Sequence, residues 1–327
     1  MFKAILIRHD NDHYSAELTD VCAADLPAGE VTVQVDYSSI NYKDAMAITG
    51  RGPIVRSFPM VPGIDLAGNV LASSNPAYRA GDKVLLTGWG VGERHWGGLA
   101  QQARVKSEWL TPIPEGADSH QVMAIGTAGF TAMLCVDALL GHGVKPADGP
   151  VLVTGASGGV GSCAVAILSG LGYQVSASTG RPERSGALLQ ALGAAELVDR
   201  ETLSQPGKPL QKERWAAVID TVGSHTLMNA CATTRYAGIV AACGMAQGLD
   251  FPASVAPFIL RGITLRGIDS VMVPAGLRAA IWQKASQHLT RDVLEKLTKT
   301  VPLDKAVAAA SRLLDGQSHG RIVVDCR

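Results

Sequence analysis

Short apolar runs separated by polar turns fill the amino-terminal part of the chain, and their period is close to two. Met1-Phe2-Lys3-Ala4-Ile5-Leu6-Ile7 reads as a first strand, Val31-Thr32-Val33-Gln34-Val35 alternates apolar with polar positions, residues 65–71 give another strand, and Lys83-Val84-Leu85-Leu86 follows the turn Ala80-Gly81-Asp82. This alternation between glycine and proline breaks predicts a compact, mostly antiparallel, barrel-like domain. From about Asp118 the pattern changes, and residues 124–140, rich in Ala, Met and Leu, predict a helix that stops at Gly141-His142-Gly143.

Strand and helix signals then alternate. Pro150-Val151-Leu152-Val153-Thr154 is a buried-strand pattern, residues 160–171 a helix, Tyr173-Gln174-Val175-Ser176-Ala177 a second strand and residues 184–192 a second helix, which together make a βαβ unit. Ala216-Ala217-Val218-Ile219-Asp220 and Gly238-Ile239-Val240-Ala241-Ala242 extend a parallel sheet. The strand-like Ile263-Thr264-Leu265-Arg266-Gly267, a helix over residues 277–288 and the strand Arg321-Ile322-Val323-Val324 are expected to rejoin the first domain. There is no low-complexity tract and no solenoid-type repeat.

Composition narrows the function classes. At 327 residues and 47 % hydrophobic content the chain can bury two cores. A formal net charge of zero leaves no basic field to hold nucleic acid or an anionic membrane, so a small-molecule partner is expected. The amino terminus lacks the apolar h-region of a signal peptide, and the longest apolar stretches, such as 151–153 and 239–242, are expected to fall short of the ~20 residues of a membrane span, so a cytoplasmic location is expected. The six cysteines (Cys22, Cys135, Cys163, Cys231, Cys243, Cys326) form no C-x-x-C pair, which argues against both a disulfide framework and a zinc ribbon.

The first turn of the sheet, Thr154-Gly155-Ala156-Ser157-Gly158-Gly159-Val160-Gly161, leads into a helix. Amides at a helix start lack intrahelical partners and carry partial positive charge, so a pyrophosphate binds there where no Cβ stands in its way. Ala156 breaks the strict G-x-G-x-x-G, leaving Gly155-x-x-Gly158-x-x-Gly161, but the position between strand and helix inside a βαβ unit is that of a dinucleotide site. Gly158, Gly159, Val160 and Gly161 are therefore candidate cofactor residues. After the second strand, where an acid would hold the ribose 2′-hydroxyl of NAD, the chain has Ser178-Thr179-Gly180-Arg181. Thr179, Gly180 and Arg181, with Arg200 after Glu196-Leu197-Val198, suit a 2′-phosphate and so NADPH.

Several further segments carry a resemblance: residues 38–45 (Ser-Ser-Ile-Asn-Tyr-Lys-Asp-Ala), 62–68 (Pro-Gly-Ile-Asp-Leu-Ala-Gly), 86–92 (Leu-Thr-Gly-Trp-Gly-Val-Gly), 95–100 (His-Trp-Gly-Gly-Leu-Ala), 126–132 (Gly-Thr-Ala-Gly-Phe-Thr-Ala) and 257–261 (Pro-Phe-Ile-Leu-Arg). Through them the chain resembles the medium-chain dehydrogenase/reductases over essentially its whole length, in their zinc-independent quinone oxidoreductase-like branch and most of all in the acrylyl-CoA reductase subfamily. The resemblance implies an α/β protein with a GroES-like, mostly antiparallel β-barrel catalytic domain at residues 1–122 and 263–327, and a doubly wound Rossmann domain at residues 123–262. It also implies a homodimer. It places Gly161, Ser162, Cys163 and Ala164 near the pyrophosphate, with Met245, Ile259 and Ser270 further along the cofactor. The Asn-Tyr-x-Asp element, Asn41, Tyr42 and Asp44 here, lines the nicotinamide pocket in that subfamily, which marks Asn41 and Tyr42 as candidate catalytic residues and Tyr42 also as a cofactor contact.

Zinc-dependent relatives carry a cysteine ligand where this chain has Asn41, and a G-H-E element where it has Gly63-Ile64-Asp65. Catalytic zinc needs three protein ligands, so no metal is expected. His95, beside Trp96, is read as a packed residue, and Asp44 and Asp65 as residues that fix their loops. A double bond conjugated to a thioester suits hydride transfer without a metal, because the charge collects on a carbonyl oxygen that hydrogen bonds can hold. The expected activity is NADPH-dependent reduction of acrylyl-CoA to propionyl-CoA, with Tyr42 or a water delivering the proton. Arg51 and Arg56 are candidates for the acyl-CoA phosphates. The alternatives are an NADPH:quinone oxidoreductase and a cofactor-binding redox sensor without chemistry.

Overall fold

The computed structural model describes residues 1–11 and 13–327, which divide into two compact units. The first comprises Met1–Thr127, Ser270–Gln287 and Leu297–Arg327, the second Ala128–Asp269 and His288–Lys296.

In the first unit β1 (Phe2–Asp10) and β2 (His13–Val21) form an antiparallel ribbon. There follow β3 (Val31–Ile40), α1 (Tyr42–Thr49), β4 (Asp65–Ser73), β5 (Lys83–Thr87), β6 (Gln102–Val105) and β7 (Thr111–Pro112). The alternation read in the sequence is what β3 buries: Val31, Val33 and Val35 are fully inside, packed in one cluster with Ile5, Leu66 and Leu86. The long helix α2 (Ser119–His142) leaves this unit. Its helical path breaks at Gly126, where φ is 53° and ψ −165°, and a Cβ there would overlap the Arg321 guanidinium.

The second unit runs β8 (Val151–Val153), α3 (Gly159–Gly170), β9 (Val175–Thr179), α4 (Pro182–Ala191), β10 (Ala194–Asp199), α5 (Glu201–Ser204), β11 (Trp215–Asp220), α6 (Ser224–Thr233), β12 (Thr234–Ala242), α7 (Ala256–Arg261) and β13 (Thr264–Gly267). Its sheet is parallel throughout, in the order β10-β9-β8-β11-β12-β13. Counted from β8 as first strand this is 3-2-1-4-5-6, the doubly wound order, and it reverses between β8 and β11. Trp215, Leu152, Val218 and Val240 pack its core. The chain closes with α8 (Ala275–His288), α9 (Arg291–Leu297), β14 (Thr298–Pro302), α10 (Ala306–Leu314) and β15 (Arg321–Asp325). β15 pairs antiparallel with β3 and parallel with β14, which completes the seven-stranded sheet of the first unit.

Three expectations are corrected here. Ile263–Gly267 does not rejoin the first domain: β13 pairs in parallel register with β12 and forms the edge of the second sheet, so the return begins at Ser270 and not at residue 263. The first boundary falls at Thr127, just past the break at Gly126, rather than at residue 122, and His288–Lys296 groups with the second unit. The longest apolar stretch is neither 151–153 nor 239–242 but lies in α2. α2 spans 24 residues and is long and apolar enough to cross a membrane, but 83 % of its apolar stretch is buried inside the protein, as in a core helix.

Candidate functional site

In the first unit the site begins with two buried carboxylates. Asp44, in the first turn of α1, accepts hydrogen bonds at Oδ2 from Asn41 N (2.8 Å) and at Oδ1 from Ile64 N (2.8 Å) and Gly63 N (3.2 Å). It thereby ties the start of α1 to the loop before β4. Asp65, fully buried, accepts from Ser39 Oγ (2.5 Å), Asn41 Nδ2 (2.8 Å), Thr127 N (2.9 Å) and Thr127 Oγ1 (2.5 Å). Burial, and next the Asp65 carboxylate, push Asp44 up to about 6, against the opposing pull of the hydrogen bonds from Asn41 and Ile64.

Arg321 supplies the balancing charge. Its buried guanidinium stands 3.9 Å from Asp65 Oδ2 and donates to Asn41 Oδ1 (3.2 Å), Ser39 Oγ (3.0 Å) and Ala124 O (2.9 Å). A buried charge cluster is kept only when each member is paired and hydrogen-bonded, and this one is. The same network engages Asn41. The amide nitrogen of Asn41 lies within bonding distance of Asp65, Asp44 and Ser39 Oγ while its oxygen accepts from Arg321, so the side chain is a strut of the network. What the strut presents is Tyr42, the next residue and the first of α1, with 54 % of its surface exposed.

Other residues of this unit are placed as follows. His95 bonds Arg104 O at 2.7 Å, packs edge-on against Trp109, and burial holds its imidazole below the usual range; it is a packed residue. Arg51 pairs with Asp315 at 2.8 Å, so its charge is matched, whereas no side-chain partner of Arg56 is found among the described residues. Ser270 is half-buried, and its carbonyl, with that of Val271, accepts from Arg278. Among the described residues no group of three His, Cys, Asp or Glu side chains is placed to hold a metal, and the cation beside Asn41 and Asp65 is Arg321.

In the second unit the glycine turn connects β8 to α3 as expected. Ser162 N is bonded to Gly158 O, which leaves the amides of Gly159, Val160 and Gly161 at the helix start for an anion. Gly161 must be glycine for close approach, since a Cβ there would overlap Gly155 O and stand 2.6 Å from Ala156 Cα. Cys163 and Ala164 are fully buried along α3 and offer a ligand no side-chain surface.

At the end of β9 the Thr179 hydroxyl is buried and engaged with Ser185 Oγ (3.1 Å), Ser157 Oγ (3.4 Å) and Arg181 N (3.2 Å), so it organises the turn instead of reaching outward. The Ser157 contact, with Ala156 N bonded to Ser178 O (3.0 Å), joins this turn to the glycine turn. Arg200 lies across Gly180: a Cβ on Gly180 would be 2.6 Å from Arg200 Cζ and 2.7 Å from Nε. No carboxylate stands within Ser178–Arg181, and Arg181 and Arg200 are the cations this turn offers. Met245 and Ile259 are 63 % and 74 % exposed in the loops after β12 and in α7.

Residues 27–115 match the alcohol dehydrogenase GroES-like domain family, and residues 159–290 the zinc-binding dehydrogenase family. The chain is 50 % identical over 98 % of its length to the probable acrylyl-CoA reductase AcuI of Escherichia coli, 99 % of which is covered. It is 49 % identical over 99 % of its length to the acrylyl-CoA reductase AcuI of Ruegeria pomeroyi, again covering 99 % of it. The crystal structure of the yhdH oxidoreductase from Salmonella enterica in complex with NADP superposes with a TM-score of 0.97 at 49 % identity, over 99 % of this chain and 100 % of that one.

Proposed function

The chain belongs to the medium-chain dehydrogenase/reductase family, and from that premise we propose that it is an NADPH-dependent reductase of acrylyl-CoA, forming propionyl-CoA. The observation that carries the reading is full-length identity near one half to acrylyl-CoA reductases, joined to a glycine turn whose 2′ end bears two arginines and no acid.

The residues fit the cofactor. The amides of Gly159, Val160 and Gly161 would hold the pyrophosphate, and Arg181 and Arg200 the 2′-phosphate. NADPH, when bound, supplies the hydride. Reduction at the β-carbon of the thioester moves negative charge to its carbonyl oxygen, and the product needs a proton at the α-carbon. Tyr42 is the residue for that end of the reaction: its phenol projects from a helix start that Asp44, Asn41, Asp65 and Arg321 hold rigidly. Tyr42→Phe lowers kcat about a hundredfold if the phenol delivers the proton, and full turnover in that variant assigns delivery to water. Of the two arginines considered for the acyl-CoA phosphates, Arg56 fits and Arg51 is already paired with Asp315.

Zinc does not fit. Asn41 and Ile64 stand where zinc-dependent relatives have ligands, and the neighbouring positive charge is Arg321. Metal analysis of the purified protein checks this, with stoichiometric zinc as the contrary result. The protein acts in the cytoplasm as a homodimer in this reading, and the exposed Leu249, Val255, Ile259 and Leu260 of the second unit support an oligomer. Light scattering of the purified chain gives its mass.

Anaerobic NADPH oxidation with acrylyl-CoA, longer enoyl-CoAs and quinones tests the activity. The expected result is a kcat/KM for acrylyl-CoA well above that for any quinone. A quinone preferred over every enoyl-CoA makes the chain a quinone reductase, and no oxidation with either leaves it a cofactor-binding protein.

A further inference from the structure

The glycine turn is closed within by Gly158 N donating to Gly155 O (3.0 Å) and anchored from outside by a neighbouring strand. Gly155, which opens it, sits at φ 58°, and the residue before it, Thr154, is fully buried and bonded to the end of β11 at every polar atom. Thr154 N donates to Ile219 O (3.0 Å) and Thr154 Oγ1 to Asp220 Oδ1 (2.6 Å). Thr221 N donates to Thr154 Oγ1 (3.1 Å) and Thr221 Oγ1 to Thr154 O (3.0 Å). Asp220, 0 % exposed, fills its other oxygen with Gly223 N (2.8 Å) and Val222 N (3.3 Å). β8 and β11 are the neighbours at which the strand order reverses, so these bonds lie at the root of the turn. Thr221 is also a wedge: a Cβ on Gly155 would overlap its Oγ1, and a Cβ on Gly244 would overlap its carbonyl, so it fills the space between the loops leaving β8 and β12.

We propose that Thr154, Asp220 and Thr221 are positioning residues for NADPH, which aim the amides of Gly159, Val160 and Gly161 without touching the phosphates. The inference rests on the reading of the glycine turn as the pyrophosphate site. Removing the Thr154 hydroxyl leaves a buried carboxylate oxygen and the Thr221 amide each short of a partner. The turn then gains conformations that binding must remove, which weakens affinity and leaves the bound complex unchanged.

Calorimetric titration of the full chain with NADPH, alongside saturation kinetics, tests this on Thr154→Val, Thr154→Ser, Thr221→Val and the control Gly161→Val. Thr154→Val and Thr221→Val raise Kd and KM for NADPH about tenfold with kcat at saturation within about twofold of wild type, and Thr154→Ser, which keeps the hydroxyl, restores the affinity. Gly161→Val binds no NADPH. Wild-type affinity in Thr154→Val, or a kcat that falls in step with affinity and is not rescued by serine, overturns the positioning role. Should Thr154→Val fail to fold, wild-type affinity in Thr221→Val overturns it equally. Undiminished binding by Gly161→Val overturns instead the reading of the turn on which the proposal rests.

Discussion

Asp44 keeps its carboxylate where water does not reach, and the cost shows in its titration. Its proton is held up to about 6 against an ordinary value of 3.8, mainly through burial and then through Asp65. A carboxyl whose pKa is raised by folding contributes stability that is complete below its unfolded value and is lost as the pH climbs through the folded one. The contribution of Asp44 therefore falls between about pH 4 and about pH 6, and the difference in Tm between wild type and Asp44→Asn shrinks across that window in a thermal unfolding series. Gly180 bears on the proposed 2′-phosphate site by what it lacks. Its missing Cβ lets the Arg200 guanidinium lie across the turn, and because a flexible side chain can swing away, Gly180→Ala keeps the fold while displacing the cation. Kinetics with both cofactors should show KM for NADPH rising about tenfold and KM for NADH little changed. The candidate residues were legible here by type: glycines at a helix start, and arginines where an acid was missing. The bonds they make were not, because nothing in the order of residues says that Asn41 spends its amide on Asp65, Asp44, Ser39 and Arg321, or that the Thr179 hydroxyl turns inward.

No periodicity along the chain predicts α1. It is only eight residues long, and its signals are the spacing of Asn41 and Asp44 at its start and Gly50, at φ 66°, at its end. Those signals were present, but a helix this short depends on tertiary bonds such as that from Ile64 N to Asp44. α2 carries the opposite lesson. Its apolar character is evident in the sequence, yet nothing local announces the break at Gly126, where a Cβ would meet Arg321, Asp65 and Ser39. Gly126→Ala sets a side chain on a left-handed φ and against a buried guanidinium, and should cost about 3 kcal/mol or more, measured as a lower midpoint in urea. The strand signal of β13 was equally correct in kind and misassigned in place, since β-branched residues beside polar ones suit either sheet.

At the scale of the whole molecule, a ligand that binds only the folded chain stabilises it by mass action. NADPH at about one hundred times its Kd should add about 2.7 kcal/mol and raise Tm by a few degrees, with NADH at the same concentration giving a smaller shift in the same thermal melt. Equal shifts would remove the role given to Arg181 and Arg200. The alternation of strand and helix signals, the glycine turn and the missing acid were enough by themselves to determine the two kinds of domain and the class of cofactor, because periodicity and backbone chemistry are local. The assignment of residues 263–269 to the second unit, the burial of α2 and the network of Asn41, Asp44, Asp65 and Arg321 were decided only in the tertiary structure. Each depends on groups far apart in the chain, Arg321 and Asn41 being 280 residues distant, and pairing a buried charge is a property of the space around it, which no window of sequence contains.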